Sequence, residues 1–384
     1  MAGGLARMGW GAGPVPARSL AGMHGALMVN GFLGTLITLE RAVGAGRPWA
    51  LAAPVLAALS GVLSLWPRGQ PLAPAAAWGA GLVATAVLGA LWRRHRQLPV
   101  LWLAAAAGAW TAGNGLWAAG LPLARVVGWW VAFLVVTIAA ERLELARIAR
   151  PSPKARRTLT LALAVLAGGL VASSWGATWG LRVSGAAWAA LGLWLARYDV
   201  AWRSRRLGGF ARYSAAALLL GYGWLVAGAG LWMAAASRWG AGPLYDAMLH
   251  ALLLGFVMSM IFAHAPILLP ALTGVAVPFV RGFYLPLAAL HASTAWRVVA
   301  DLMAAWGPAA PAGAAMRPWS GLANVAAVLT FGAVLLRAVR LQGHTAGQAS
   351  RPLSTPGQPA GSGAVPAGTP APPSGRTGFP PLPG

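Results

Sequence analysis

Apolar runs of about 20 residues, separated by short polar or basic links, recur along almost the whole chain. A helix of that length spans the ~30 Å hydrocarbon core of a bilayer. The pattern predicts spans at 20–41, 49–66, 74–92, 99–119, 123–142, 158–176, 179–197, 212–236, 245–268, 282–303 and 319–338. The alternation of a half-buried strand is absent, so a barrel is not expected. The expected fold is all-α: a polytopic transmembrane helix bundle of about 11 spans over residues 1–341. From residue 342 the chain turns Pro/Gly/Ser-rich ("GHTAGQASRPLSTPGQPAGSG…"), which predicts a disordered cytoplasmic tail over 342–384.

Composition supports that reading. Hydrophobic residues make up 58% and charged residues only 9% of the chain, against about 25% charged in soluble domains. The net charge of +23 does not indicate nucleic-acid binding, because the arginines sit in short clusters between apolar runs. The third, fifth and seventh connections ("RRHRQ", "ERLELARIARPSPKARR", "RYDVAWRSRR") carry most of the charge. Placing them inside puts the N-terminus outside and the C-terminus in the cytoplasm, with most of the 29 Lys and Arg on the inner side. The basic faces suit anionic lipid headgroups. Trp49, Trp66, Trp92, Trp129, Trp130 and Trp239 gather near span ends, as interfacial anchors do. "GALMVNGFLGT" and "LAGGLVASSWGATWG" are rich in small residues and allow close helix–helix approach.

The chain contains no cysteine, which excludes disulfides, iron–sulfur clusters and thiolate haem ligation. Any metal must be held by His, Met, Asp or Glu. The first 20 residues lack the apolar core and cleavage site of a signal peptide, so the first span is expected to direct insertion. Thr38–Glu40–Arg41 and Thr137–Glu141–Arg142 echo each other at the inner ends of two spans.

Chemistry is confined to a few polar residues. His95 and His344 fall in a loop and in the tail. Glu40, Glu141, Glu144 and Asp199 lie beside arginines at inner helix ends, where surface pairing accounts for them. His24, His250, His264, His291, Asp246, Arg297 and Asp301 remain, and ionisable groups inside spans usually face the bundle interior and serve function. The plainer alternative for each is a neutral imidazole bonded to a neighbouring carbonyl or hydroxyl, or an Arg–Asp pair reaching the interface.

Depth sharpens the candidates. With 1.5 Å of rise per residue, His24, His250 and Arg297 lie about 6, 8 and 9 Å below one membrane surface, and Asn114 falls near the same layer. Asp246 and His250 share a helix face, so the carboxylate is expected to hold one ring nitrogen and leave the other free as a ligand. His24, Gly31, Thr35 and Thr38 fall on one face, giving either room for a flat macrocycle or a packing seam. His264 lies about 21 Å along the axis from His250, and His291 near mid-membrane, which suggests a second, less supported centre. Arg297 suits a haem propionate, with Asp301 balancing its charge.

"His250-Ala251-Leu252" opening a late span resembles the NnrS family of multi-span haem–copper membrane proteins, linked to nitric oxide stress in bacteria. "MHGALMVNGFLGTLITLERAV" is similar to the His-bearing first span of related haem-copper oxidase subunit I-like proteins. The resemblance covers mainly 23–43 and 244–303. It implies haem b and copper as cofactors, His24 and His250 as metal ligands, a membrane redox partner and the bacterial cytoplasmic membrane as location. The chain departs from that family in two ways: Gly343-His344-Thr345 lies far downstream of His-Ala-Leu, and one span fewer is read than the family's twelve. The lack of adjacent histidines and of a buried Lys or Glu line sets it apart from an oxygen-reducing core. The expected function is therefore electron transfer or a nitric-oxide-linked response. A proton- or metal-ion-linked transporter and a non-catalytic assembly subunit are the alternatives.

Overall fold

The computed structural model describes residues 2–10, 17–145, 152–306 and 308–349. Among these no strand occurs, and helices account for nearly all of the chain. The chain divides into Met1–Gly343 and His344–Gly384; of the tail expected at 342–384, residues 350–384 lie outside the described residues, while the last helix runs to Ala349.

The helices follow the apolar runs. After a short α1 (Ala2–Arg7), the first predicted span is a continuous rod: α2 (Ala17–Ala26), a π-helical stretch over Leu27–Gly34, and α3 (Thr35–Ala45). It ends where Gly46 adopts the left-handed conformation that glycine favours. Then follow α4 (Ala52–Leu63), α5 (Ala73–His95), α6 (Leu98–Ala118), α7 (Leu123–Leu145), α8 (Pro153–Ser174), α9 (Thr178–Tyr198), the single turn α10 (Ala201–Ser204) and α11 (Gly209–Ala235). The ninth predicted span is again a composite: α12 (Pro243–His250), a π-helical stretch over Ala251–Met258, and α13 (Ser259–Thr273). Two more helices, α14 (Tyr284–Ala305) and α15 (Ala310–Ala349), close the described chain. Pro at the first or second position starts α5, α6, α8 and α12, where a missing N–H costs nothing.

Seven helical segments among the described residues are long and apolar enough to cross a membrane: Leu20–Ala45, Ala73–His95, Leu123–Leu145, Pro153–Ser174, Gly209–Arg238, Pro243–Ala271 and Ala310–Leu341. The exterior is correspondingly apolar, with Trp175 85%, Leu285 65% and Leu161 64% exposed. In contrast, α7 is buried on almost every face, from Val126 to Leu143. A helix apolar all round belongs in the middle of a bundle.

Small residues set the closest crossings. A Cβ at Gly31 would lie 2.9 Å from Gly61 Cα, and one at Gly169 would lie 2.9 Å from Gly180 O. The stripe below His24 is thus a packing seam. Gly31 abuts α4, while Thr35 and Thr38 turn their hydroxyls back to Gly31 O and Gly34 O at 2.8 and 2.6 Å. The π-helical stretch also shifts the phase of the helix, so residues spaced for one regular face do not keep it. Trp130 departs from its expected place as well: it is 1% exposed, and its indole N–H donates to Asn114 Oδ1 at 2.8 Å. Asn114 in turn donates to Ala77 O at 3.2 Å, so it is a helix-to-helix link.

Candidate functional site

Two buried polar clusters occupy the bundle. The first joins α1, α12, α14 and α15. Arg297 is 1% exposed, so it does not reach out to an interface. Its Nε donates to Asp301 Oδ2 at 2.8 Å, the expected pair, and its Nη2 lies 3.6 Å from Asp246 Oδ2. Arg317 bridges both acids, with Nε to Asp301 Oδ1 at 2.6 Å and Nη2 to Asp246 Oδ2 at 2.5 Å. Arg7 completes the set, Nη2 to Asp246 Oδ1 at 3.2 Å. Three guanidiniums thus face two carboxylates, leaving one positive charge in excess.

His24 and His250 border this cluster. They lie within electrostatic range of each other, His24 also of Arg7 and Asp246, and His250 of Arg297, Arg7 and Arg317. The expected carboxylate–imidazole bond does not form. His250 Nδ1 instead donates to the backbone carbonyl of Asp246 at 2.6 Å, because the ring leans back over its own preceding turn and the carboxylate is taken by arginines. A carbonyl only accepts, so Nδ1 carries a proton, and in the neutral ring Nε2 keeps its lone pair. Among the described residues no hydrogen bond uses that lone pair or either nitrogen of His24. α1 lies over the His24 ring: a Cβ on Gly4 would meet Cε1 at 3.2 Å and Nε2 at 3.3 Å. Met8, just after α1, places its sulfur 3.0 Å from Arg297 Nη1.

The second cluster joins α7, α9, α11 and α13. Arg142 grips Asp199 through two hydrogen bonds, Nε–Oδ2 at 2.6 Å and Nη2–Oδ1 at 2.8 Å. Tyr222 O–H donates to Oδ2 at 2.6 Å and Ala201 N–H to Oδ1 at 2.7 Å. Arg142 Nη1 lies 3.4 Å from His264 Nε2, and His264 Nδ1 donates to Met260 O at 2.8 Å. Asp199, expected on the surface, is only 7% exposed. Burial alone favours its neutral form, but the Arg142, Tyr222 and Ala201 donors outweigh that and hold the carboxyl below the usual carboxylate range. Nearby, Arg41 pairs with Glu40 at 3.3 Å and with Glu141, so the two echoed Thr–Glu–Arg segments meet across α3 and α7.

His291 belongs to neither cluster. Trp224 Nε1 donates to its Nδ1 at 3.0 Å, so Nε2 carries the proton and faces Ser259 Oγ at 3.3 Å. The Ser259 hydroxyl donates its own hydrogen bond to Ala217 O at 2.7 Å. His264 and His291 therefore have different partners, and each has both ring nitrogens engaged. No group of three or more His, Asp or Glu side chains suited to a metal occurs among the described residues.

Several participants escape a reading by spans. Arg7, Met8 and Gly4 sit in a segment too short to cross a membrane, and Arg317 precedes the last predicted span. Their signal was a surplus: buried Asp246 and Asp301 outnumber Arg297, and extra cations had to come from somewhere.

The fold and the buried clusters define an all-helical protein with apolar membrane-length helices and charged groups locked in its interior. The chain belongs to the family described as "Domain of unknown function (DUF8744)", whose model matches residues 1–340. No curated protein and no solved structure matches it.

Proposed function

We propose that the chain is an integral protein of the bacterial cytoplasmic membrane that binds haem b between His24 and His250 and serves electron transfer or a nitric-oxide-linked response. The single observation that carries this reading is the Nε2 of His250, which no described hydrogen bond uses while Nδ1–H is held by Asp246 O, in a residue within electrostatic range of His24. A haem supplies one-electron chemistry at its iron. The chain supplies the rest: two imidazoles as ligands, and a cationic rim in which Arg7 and Arg317, with side chains 43% and 22% exposed, can receive carboxylates. Copper would have to share the same imidazoles. His264 and His291 act in this reading as helix-to-helix links, since ligation would break bonds that both already make.

The surplus guanidinium also weighs against the transporter alternative. A site for a bare cation would be surrounded by acids, whereas here cations outnumber them.

We extend the proposal to eleven crossings, with the N-terminus outside and the C-terminus in the cytoplasm; two buried ion pairs favour α9 and α14 as crossings beside the seven membrane-length segments, and α4 and α6 are added on their apolar runs alone. Arg142 ends α7 and Asp199 follows α9, and their ion pair requires both on one side of the membrane. An even number of crossings between them fits that placement, which favours α9 as a crossing beside α8. Asp246 starts α12 and Arg317 lies in the second turn of α15, and their pair favours α14 in the same way. The basic third, fifth and seventh connections then set the direction. Single cysteines introduced into this cysteine-free chain test the threading: Gly208→Cys is expected to react only with a reagent that enters the cytoplasm, and Gly120→Cys with one that does not.

The cofactor is tested by a reduced-minus-oxidised absorption spectrum of the detergent-purified full chain. A Soret band with a b-type α-band is expected. Colourless protein from haem-replete cells, with no haem on acid-acetone extraction, would falsify the assignment.

A further inference from the structure

A second binding surface lies away from both clusters, at the start of α8. A groove of about 610 Å3 is lined by Arg156, Arg157, Thr160, Leu161 and Ala164 of α8 and by Leu98 of α6. Positions 156, 157, 160, 161 and 164 fall on one helix face. The two guanidiniums stand at the polar end of a membrane-length helix, and the apolar side chains continue below them along the direction an acyl chain would take. Leu161 is 64% exposed, so the apolar part of the groove is open. None of the described lining residues is acidic, and among the described residues neither arginine takes part in an ion pair. That contrasts with Arg7, Arg41, Arg142, Arg297 and Arg317, each of which has a carboxylate.

Paired, uncompensated guanidiniums over an apolar strip match one chemistry: a phosphate monoanion or diester carried on hydrocarbon. Guanidinium forks bind phosphate oxygens bidentately, which exposed ammonium groups do less well. The volume also falls within the ~300–1,000 Å3 of ordinary small-molecule sites. We propose that this groove is a specific site for an anionic phospholipid, with Arg156 and Arg157 on the headgroup phosphate and the acyl chain along Leu161, Ala164 and Leu98. The site is independent of any cofactor at His24 and His250.

Native mass spectrometry of the detergent-purified full chain, titrated with phosphatidylglycerol or with phosphatidylcholine of the same acyl chains, tests it. Wild type is expected to retain one phosphatidylglycerol more strongly than phosphatidylcholine. Arg156→Gln/Arg157→Gln is expected to lose that preference by roughly 25-fold, at about fivefold per basic residue. Arg156→Lys/Arg157→Lys should retain part of it, and Arg203→Gln/Arg205→Gln, which removes the same charge elsewhere, should leave it intact. Equal retention of the two lipids by wild type would overturn the proposal, whether or not the variants fold. So would an equal loss in the Arg203/Arg205 variant, or displacement of the lipid by inorganic phosphate at matched concentration.

Discussion

The two buried clusters are built from the same residue types yet differ in how completely they are closed. Around Arg142 every described partner is matched: one guanidinium, one carboxylate, a phenol, and an imidazole whose two nitrogens are both engaged. Around Arg297 three guanidiniums share two carboxylates, and His250 keeps a lone pair that no described residue uses. Both His250 and His264 anchor Nδ1 on the carbonyl four residues back. They differ in the partner of Nε2: an arginine lies 3.4 Å away for His264, and no described hydrogen bond is made for His250. A closed network stabilises a fold, and an open one leaves capacity for a ligand.

That contrast can be attacked from the side of stability first. Asp199→Ala strands Arg142 in the interior and is expected to cost about 3–5 kcal/mol, because a buried ion is left without its counterion. Asp246→Ala leaves Arg297 still paired with Asp301 and half-exposed Arg7 free to turn to water. Its cost should be smaller, roughly 1–3 kcal/mol. Thermal unfolding of both variants in one detergent compares them directly, and equal losses would erase the distinction.

The next effect concerns the histidines alone. His291→Leu orphans the Trp224 indole and the Ser259 hydroxyl and should cost about 1–3 kcal/mol. His24→Leu removes no described hydrogen bond and should change the unfolding midpoint least of the four half-buried histidines. Gly31→Val drives a side chain into Gly61 and is expected to cost roughly 1–3 kcal/mol, whereas the same change at exposed Gly44, with open space around it, should be nearly silent on packing grounds.

The smallest effect is a pH dependence. The Asp199 carboxyl is held below its ordinary value in the folded protein. Its stabilising contribution is therefore complete above the unfolded value of ~3.9, and is lost as pH falls through the folded value. Unfolding midpoints of wild type should drop in that acid range more steeply than those of Asp199→Asn. Parallel curves would remove Asp199 from the acid response.

Much of this was legible in the sequence, and the part that was not has a physical cause. Every predicted span coincides with a helical segment, since an apolar run in a cysteine-free, strand-poor chain has few other solutions. The expected clustering of His24, His250 and Arg297 agrees with their proximity, His24 lying within electrostatic range of His250 and His250 of Arg297, since rise per residue is nearly constant along a helix. Rotation about the axis was the weak link. Eight residues of π-helix after His24 and after His250 change the angular step, so faces inferred from regular spacing drift. The i,i+4 spacing paired Asp246 with His250 but could not tell its backbone oxygen from its carboxylate, and the Trp224–His291 contact leaves no trace in spacing at all. Nor do partners supplied from outside the spans: the sequence assigns the first ten residues no role beyond lacking a signal peptide's apolar core, yet they cover His24 and reach Asp246 and Arg297.

The most direct test of the difference between the two clusters is the haem content, per mole of purified chain, of His250→Ala beside His264→Ala. The open site predicts that His250→Ala loses the Soret band while His264→Ala keeps it and is only less stable. A band that survives in His250→Ala and vanishes in His264→Ala would contradict it.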